Sequence, residues 1–131
     1  MRGQGRVENA TRVDKYGLRF RSKLECYTYE AFMKAGIPVQ YEPKHFELLP
    51  KFEYMGEKIR AITYLPDFIG KGFVVECKGL IGDSFPLRYK LFKYYLKRHN
   101  SKMKCYLVRN HKQVDEMIQE LLNQKSCKKT S

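Results

Sequence analysis

The stretch Phe73 to Lys78, with the sequence FVVECK, places a carboxylate inside an otherwise apolar strand. A strand this apolar is typical of the centre of a sheet, where both faces are buried. Because side chains alternate along a strand, Glu76 and Lys78 share one face while Cys77 points to the other. An uncompensated carboxylate in such a strand costs several kcal/mol. The sequence therefore predicts a sheet protein in which a cation compensates Glu76.

The nature of that cation is open from the residues alone. Lys78 can pair with Glu76 as an ordinary ion pair at a strand end. Alternatively Asp67, which follows Pro66 at the end of the preceding strand, meets Glu76 across adjacent strands. Two such carboxylates are natural ligands for a divalent metal such as Mg²⁺. The metal would then polarise a scissile phosphate and activate a water, while Lys78 orients or deprotonates that water or stabilises the transition-state charge.

The charge distribution points to a polyanionic partner. The formal net charge is +12, from 26 basic and 14 acidic residues. No acidic residue lies between Asp83 and Asp115, whereas this stretch carries nine basic residues interleaved with tyrosines (Arg88, Lys90, Lys93, Lys97, Arg98, Lys102, Lys104, Arg109 and Lys112). This pattern favours contact with nucleic-acid phosphates. For the basic residues near either terminus alone, an ordinary solvated surface is the favoured interpretation.

The chain also lacks the signals of several other classes of protein. No apolar run is long enough for a membrane span and no secretory signal is visible, so we expect a cytoplasmic protein without a membrane partner. The four cysteines have no zinc-ligand spacing and are expected to be reduced thiols (Cys26, Cys77, Cys105 and Cys127). Phosphate-binding glycine motifs are absent, which argues against nucleotide hydrolysis.

Local signals predict an α/β fold with a mixed β-sheet flanked by helices. We expect one domain over residues 16–124, between a flexible basic arm at 1–15 and a basic tail at 125–131. The first helix spans Ser22 to Ala35, with Ser22 as its cap, Glu25 completing a capping box and Gly36 as its stop. Its predicted buried face consists of Leu24, Tyr27, Ala31 and Ala35.

The remaining elements follow from turn residues and periodicity. Two extended pieces, VQYE and HFELL, are separated by Pro43, and a hairpin turns at Met55 and Gly56. A strand ends before Pro66, and a loop at Gly70–Gly72 leads into FVVECK. A helix from Pro86 to Asn100, the strand MKCYLVR and the helix HKQVDEMIQELLNQ complete the chain.

The acidic motif resembles the signature of the PD-(D/E)XK nuclease superfamily. The resemblance rests on Asp67 after Pro66, a spacer of eight residues, and then Glu76-Cys77-Lys78 followed by Gly79. That superfamily has a helix, a β-meander carrying the motif, a second helix and a further strand, which is the order predicted here. The resemblance implies a restriction-endonuclease-like core.

Four further segments resemble phage endonuclease I type Holliday junction resolvases and related small phage endonucleases. They are F-R-S-K-L-E from Phe20, G-I-x-x-x-Y-E from Gly36, Y-x-P-D-F from Tyr64 and V-E-C-K-G from Val75. The stretch between Glu42 and Tyr64 is longer than in that type. The lysine-rich helix is more similar to small phage nucleases of unassigned role.

This resemblance implies a Mg²⁺-dependent endodeoxyribonuclease, with Mn²⁺ as a substitute, that cuts branched DNA such as a Holliday junction during DNA recombination. It implies four catalytic residues (Glu25, Asp67, Glu76 and Lys78). The implied metal ligands are Asp67, Glu76, Glu25 and the backbone carbonyl of Cys77. The expected DNA-binding residues are Arg21, Ser22, Lys23, Arg88, Lys90, Lys93, Lys97 and Arg98. Symmetric cutting of two strands favours a homodimer.

Three alternatives stay open at this point. The capping role explains Glu25 without any catalysis. A restriction- or repair-type nuclease would act on linear duplex instead of a junction. A non-catalytic nucleic-acid-binding module would use the basic surface and keep the acids as an ion-pair network.

Overall fold

The chain has a mixed α/β fold, as predicted. The structure is a computed structural model that describes residues 12–130, with side chains over 12–124. Its elements are β1 (Val13–Lys15), β2 (Leu18–Phe20), α1 (Lys23–Ala35), β3 (Val39–Tyr41), β4 (Phe46–Leu49), β5 (Phe52–Tyr54), β6 (Glu57–Ile59), β7 (Ile62–Tyr64), β8 (Phe68–Gly70), β9 (Phe73–Cys77), α2 (Phe85–Arg98), β10 (Lys104–Val108) and α3 (His111–Thr130).

The described residues form two compact units. The terminal unit comprises residues 12–38, 77–79 and 108–130, and the central unit comprises residues 39–76 and 80–107. The predicted acids Asp67 and Glu76 belong to the central unit. Glu25 and Lys78 belong to the terminal unit.

The terminal unit begins with a hairpin where a flexible arm was expected. β1 and β2 pair antiparallel, with Val13 opposite Phe20. Tyr16 and Gly17 form the turn with φ values of 58° and 73°, the left-handed pair that a two-residue hairpin turn requires. Residues 13–15 of the expected arm are therefore a strand. Residues 1–11 lie outside the described residues.

Helix α1 has the predicted ends but a different buried face. The Ser22 hydroxyl accepts from the amide of Glu25 at 3.2 Å, and Gly36 closes the helix with φ 71°. The prediction that Leu24, Tyr27, Ala31 and Ala35 form the buried face is wrong, because the fully buried residues are Glu25, Cys26, Thr28 and Phe32. Thr28 is tolerated inside because its hydroxyl donates to the Leu24 carbonyl at 2.7 Å.

Helix α3 packs beside α1 in the terminal unit. The side-chain oxygen of Asn110 accepts from the amide of Gln113 at 2.9 Å, which caps the start of α3. The rings of Tyr27 and His111 stack at 3.7 Å, and the Tyr27 hydroxyl donates to Asp115 at 2.8 Å. The helix runs to Thr130, so most of the expected tail at 125–131 is helical.

The central unit is organised around a four-stranded sheet in the order β10-β9-β8-β3. β8 lies between β3 and β9 and pairs antiparallel with both. The amide of Lys104 donates to the Gly72 carbonyl at 3.0 Å. β10 therefore starts beside the start of β9 and runs parallel to it, with α2 as the crossover that parallel neighbours need.

The turn between β8 and β9 depends on its glycines. Gly72 has a φ of 86°, a conformation that a side chain would strain. A Cβ added at Gly70 would collide with the ring of Phe73. The predicted loop at Gly70–Gly72 is confirmed as a tight turn, whereas the short strand β8 was not predicted as an element.

The region between β3 and β8 contains two further antiparallel pairs. The hairpin predicted at Met55 and Gly56 is confirmed, with φ values of 47° and 85° between β5 and β6. β4 pairs with β7, so that Phe46 lies opposite Tyr64.

Helix α2 covers a hydrophobic cluster in the central unit. The helix begins with Pro86 in its first turn, as predicted, and buries Phe92 completely. The cluster joins residues of α2 to β4, β7 and β9: Phe46, Tyr64, Val74, Phe85, Phe92 and Leu96. Val74 and Glu76 share one face of β9. The face that carries the acid is therefore the face that α2 and β7 pack against.

Candidate active site

The structure brings Asp67 and Glu76 together across β8 and β9. Phe68 on β8 lies opposite Val75 and Ile69 opposite Val74. Asp67 directly precedes β8 and Glu76 directly follows Val75, so continuing this register by one residue brings the two acids side by side. Both acids also lie close enough to Tyr64 to raise its pKa. Directly opposite residues share a face of the sheet, with Cβ atoms about 4.5–5.5 Å apart. Each of the two acids is only 5% exposed. Two buried carboxylates thus lie side by side within the central unit.

Tyr64 hydrogen-bonds Glu76 of this acidic pair and was not predicted as a site residue. Its hydroxyl donates to Oε1 of Glu76 at 2.5 Å, and its ring packs against Phe92 at 4.7 Å between centroids. Burial raises the pKa of Tyr64 strongly, and Glu76 and Asp67 raise it further through their negative charges. The two acids and the burial thus favour the protonated phenol that donates to Glu76. Sequence spacing could not reveal this contact, because β7 pairs with β4 and is not a neighbour of β9.

Tyr89 on α2 is the next aromatic group near the pair. Its ring stacks on Phe85 at 5.0 Å, and Nζ of Lys93 lies 4.6 Å from the ring centroid. Burial raises the pKa of Tyr89, and the charges of Cys105 and Glu76 add to that shift. The first half of α2 therefore adjoins the acidic pair.

The end of β3 lies on the other side of Asp67. The amide of Glu42 donates to the Asp67 carbonyl at 2.8 Å, one residue beyond the register pair Tyr41 and Phe68. Glu42 has a φ of 47°, which ends the strand before Pro43. The backbone at Asp67 is thus held between two neighbouring strands.

Glu25 is buried at the start of α1, in the terminal unit. It is 5% exposed, and its Oε1 accepts from the amide of Arg21 at 2.9 Å. The prediction that Ser22 caps α1 is confirmed, because its hydroxyl accepts from the Glu25 amide. The carboxylate itself bonds the amide of Arg21, one residue earlier than a capping box requires. This bond gives Glu25 a structural role in ordering the residues before the helix.

Lys78 directly follows β9, and hydrogen bonds within the terminal unit hold its backbone in place. Its amide donates to the Val108 carbonyl at 3.0 Å. The guanidinium of Arg109 donates to the carbonyls of Lys78 and Gly79 at 2.9 and 3.3 Å. Arg109 therefore has a structural use besides any contact with phosphate. The lysine side chain is half-buried.

The neighbouring cysteine is held by its side chain as well as its strand. Cys77 is buried, and its thiol donates to the Thr28 hydroxyl at 3.4 Å. Its side chain occupies the face opposite the one shared by Val74 and Glu76. The role of the Cys77 backbone carbonyl as a metal ligand stays a prediction.

The predicted DNA-binding residues are mostly at the surface. Arg21 and Lys23 are exposed, Ser22 is half-buried, and α2 exposes Lys90, Lys93, Lys97 and Arg98. Arg88 differs, because its Nε atom is buried. At the end of α2 lies a cleft of about 520 Å³ lined by three lysines and their neighbours: Lys93, Leu96, Lys97, Asn100, Ser101, Lys102, Met103 and Cys105.

The donor set at the acidic pair suits a small hard cation. Among the residues that the structure describes, no three His, Cys, Asp or Glu side chains form a metal-binding group. Mg²⁺ does not need such a cage, because it is usually held by one or two carboxylates and retains several waters. Asp67 and Glu76 meet that requirement, and a divalent ion would offset the repulsion between their charges.

The fold and the site define an α/β protein with a buried acidic pair beside a basic helix. Residues 7–114 match the family described as "Protein of unknown function (DUF1064)", and the chain belongs to this family. The matched region contains every predicted site residue. No curated protein and no solved structure matches the chain. Within the described residues, no helix is long and apolar enough to cross a membrane.

Proposed function

We propose that the protein is a metal-dependent DNA endonuclease that hydrolyses phosphodiester bonds. The observation that carries this proposal is that two buried acids lie close together, Asp67 directly before β8 and Glu76 on the neighbouring strand β9. Burying two like charges side by side is unfavourable for a purely structural sheet. A divalent ion would offset the two negative charges and could bind the phosphate of a substrate.

The order of elements supports a restriction-endonuclease-like core of the PD-(D/E)XK type. A helix precedes three antiparallel strands that carry the motif, and a crossover helix then leads to a parallel strand. This is the order implied by the resemblance of Pro66-Asp67 and Glu76-Cys77-Lys78. The proposal concerns the core only, since the β4–β7 region adds strands of its own.

Each acidic or basic group has a proposed role. Asp67 and Glu76 would hold Mg²⁺, or Mn²⁺ in its place. The family resemblance adds Glu25 and the backbone carbonyl of Cys77 as further ligands. The metal would supply Lewis-acid activation of the phosphate and of a water. Lys78 would orient or deprotonate that water, or stabilise charge at the phosphate.

The exposed basic side chains of α2 and the residues before α1 would bind DNA. Lys93 and Lys97 line the cleft that also contains Lys102. Contacts of this kind bind the phosphate backbone without reading sequence, and they weaken steeply as salt is added. Branched DNA and a twofold homodimer are the substrate and assembly that the resolvase resemblance suggests.

A second candidate is a non-catalytic nucleic-acid-binding module. The exposed lysines of α2 favour it, because they provide a phosphate-binding surface with or without chemistry. It leaves the pairing of Asp67 with Glu76 without a role. Cleavage assays separate the two candidates.

The experiment compares a labelled four-way junction with its matching linear duplex in Mg²⁺, Mn²⁺ and EDTA. Nicking of the junction that requires metal supports a structure-selective nuclease. Nicking of both substrates at similar rates supports a nuclease for linear duplex. Salt-sensitive binding with no cleavage in any metal contradicts the enzyme proposal and favours the binding module.

A further inference from the structure

The hydroxyl of Tyr64 occupies one oxygen of Glu76 from inside the hydrophobic cluster. The Oη to Oε1 distance is 2.5 Å, and Tyr64 and Glu76 are 4% and 5% exposed. The terminal torsion of a glutamate is broad, so packing alone does not set the rotation of its carboxylate. A hydrogen bond from a fixed donor does set it.

The donor is fixed because its ring is held on more than one side. Tyr64 packs on Phe92 at 4.7 Å and faces Tyr89 at 6.4 Å between centroids. It also lies opposite Phe46 in the β4–β7 register. A tyrosine has only two side-chain torsions, and all these neighbours belong to the same cluster or pack against it. The hydroxyl therefore has little freedom to move away from Glu76.

We propose that Tyr64 is a positioning residue that orients the Glu76 carboxylate for a divalent metal ion. This inference rests on the proposed function, since it takes Glu76 as a metal ligand. Tyr64 does not touch the ion. By holding Oε1, it fixes the plane of the carboxylate through which the ion is bound. Partners of this kind typically change metal affinity by about 10- to 100-fold.

The test is calorimetric titration with MnCl₂ alone, without DNA, on the full chain. Tyr64→Phe retains the ring and removes the hydroxyl. The matched control is Tyr95→Phe, because Tyr95 also packs against the cluster, with its ring 5.6 Å from Phe46. We expect Mn²⁺ affinity to fall by about 10- to 100-fold in Tyr64→Phe and to change less than twofold in Tyr95→Phe. DNA binding in EDTA should be unchanged in both variants.

Each other outcome overturns the proposal in a recognisable way. Mn²⁺ affinity within twofold of wild type in Tyr64→Phe shows that the hydroxyl does not orient a ligand. Equal losses in both variants show a general packing effect. Loss of DNA binding in EDTA for Tyr64→Phe alone shows a role in folding. Wild-type protein that binds no Mn²⁺ removes the proposed metal site together with this inference.

Discussion

Replacing Asp67 by Asn should stabilise the metal-free protein, because it removes one of two buried carboxylates that lie opposite each other. Two unit charges about 5.5 Å apart repel by about 3 kcal/mol at an effective dielectric constant of about 20. The amide cannot accept every hydrogen bond that a carboxylate accepts, which offsets part of this gain. We therefore expect the free energy of unfolding in EDTA to rise by about 1–3 kcal/mol. The bond from Tyr64 to Glu76 is left in place.

The stability advantage of Asp67→Asn should fall when metal is added. At an ion concentration about 100 times the dissociation constant, binding stabilises the wild type by about 2.7 kcal/mol. Asp67→Asn should gain much less, because it has lost a ligand. The difference between the two proteins in Mn²⁺ therefore shrinks or changes sign relative to EDTA.

The assay is urea unfolding followed by far-ultraviolet circular dichroism, since the chain has no tryptophan. Asp83→Asn is the matched control, because Asp83 is exposed and its replacement should change stability by less than about 0.5 kcal/mol. A lower free energy of unfolding for Asp67→Asn than for wild type in EDTA would refute the reasoning. It would show that repulsion between Asp67 and Glu76 does not destabilise the metal-free protein.

The remaining predictions concern the core, a helix cap and the basic surface. Phe92→Ala should lower the free energy of unfolding by about 3–5 kcal/mol in urea titrations, because Phe92 is completely buried against Phe46 and Tyr64. Ser22→Ala should cost about 1 kcal/mol in the same assay, since its hydroxyl accepts from the first turn of α1. Lys97→Gln should reduce the slope of log affinity for DNA against log salt by about 1 in fluorescence anisotropy; an unchanged slope would place Lys97 outside the phosphate contacts.

The sequence predicts a structural feature correctly where that feature depends only on residues close together in the chain. Ser22 and Gly36 define the ends of α1 because a cap depends on neighbouring residues only. Met55 and Gly56 predict their hairpin for the same reason. The tight turn before β9 likewise follows from its own glycines, although the strand β8 that it joins to β9 is not apparent in the sequence.

Features that depend on distant parts of the chain were missed. The buried face of α1 differs from the expected one, because tertiary packing decides which residues of a helix are covered. Thr28 is part of that face, with its hydroxyl bonded to the Leu24 carbonyl. Tyr64 reaches Glu76 through tertiary packing, and no spacing along the chain encodes that contact. One miss has a local cause: helix α3 continues to Thr130, since the residues after Gln124 contain neither glycine nor proline to end it.

The most direct test of the central claim is the single-turnover rate of DNA nicking in Mg²⁺ by wild type, Asp67→Asn and Asp83→Asn. A metal ligand worth several kcal/mol at the transition state predicts a loss of about a thousandfold for Asp67→Asn. Asp83→Asn should match wild type, and all three should bind DNA equally in EDTA. Equal nicking by wild type and Asp67→Asn, or no nicking by any of the three, would contradict the assignment of the acidic pair as a nuclease metal site.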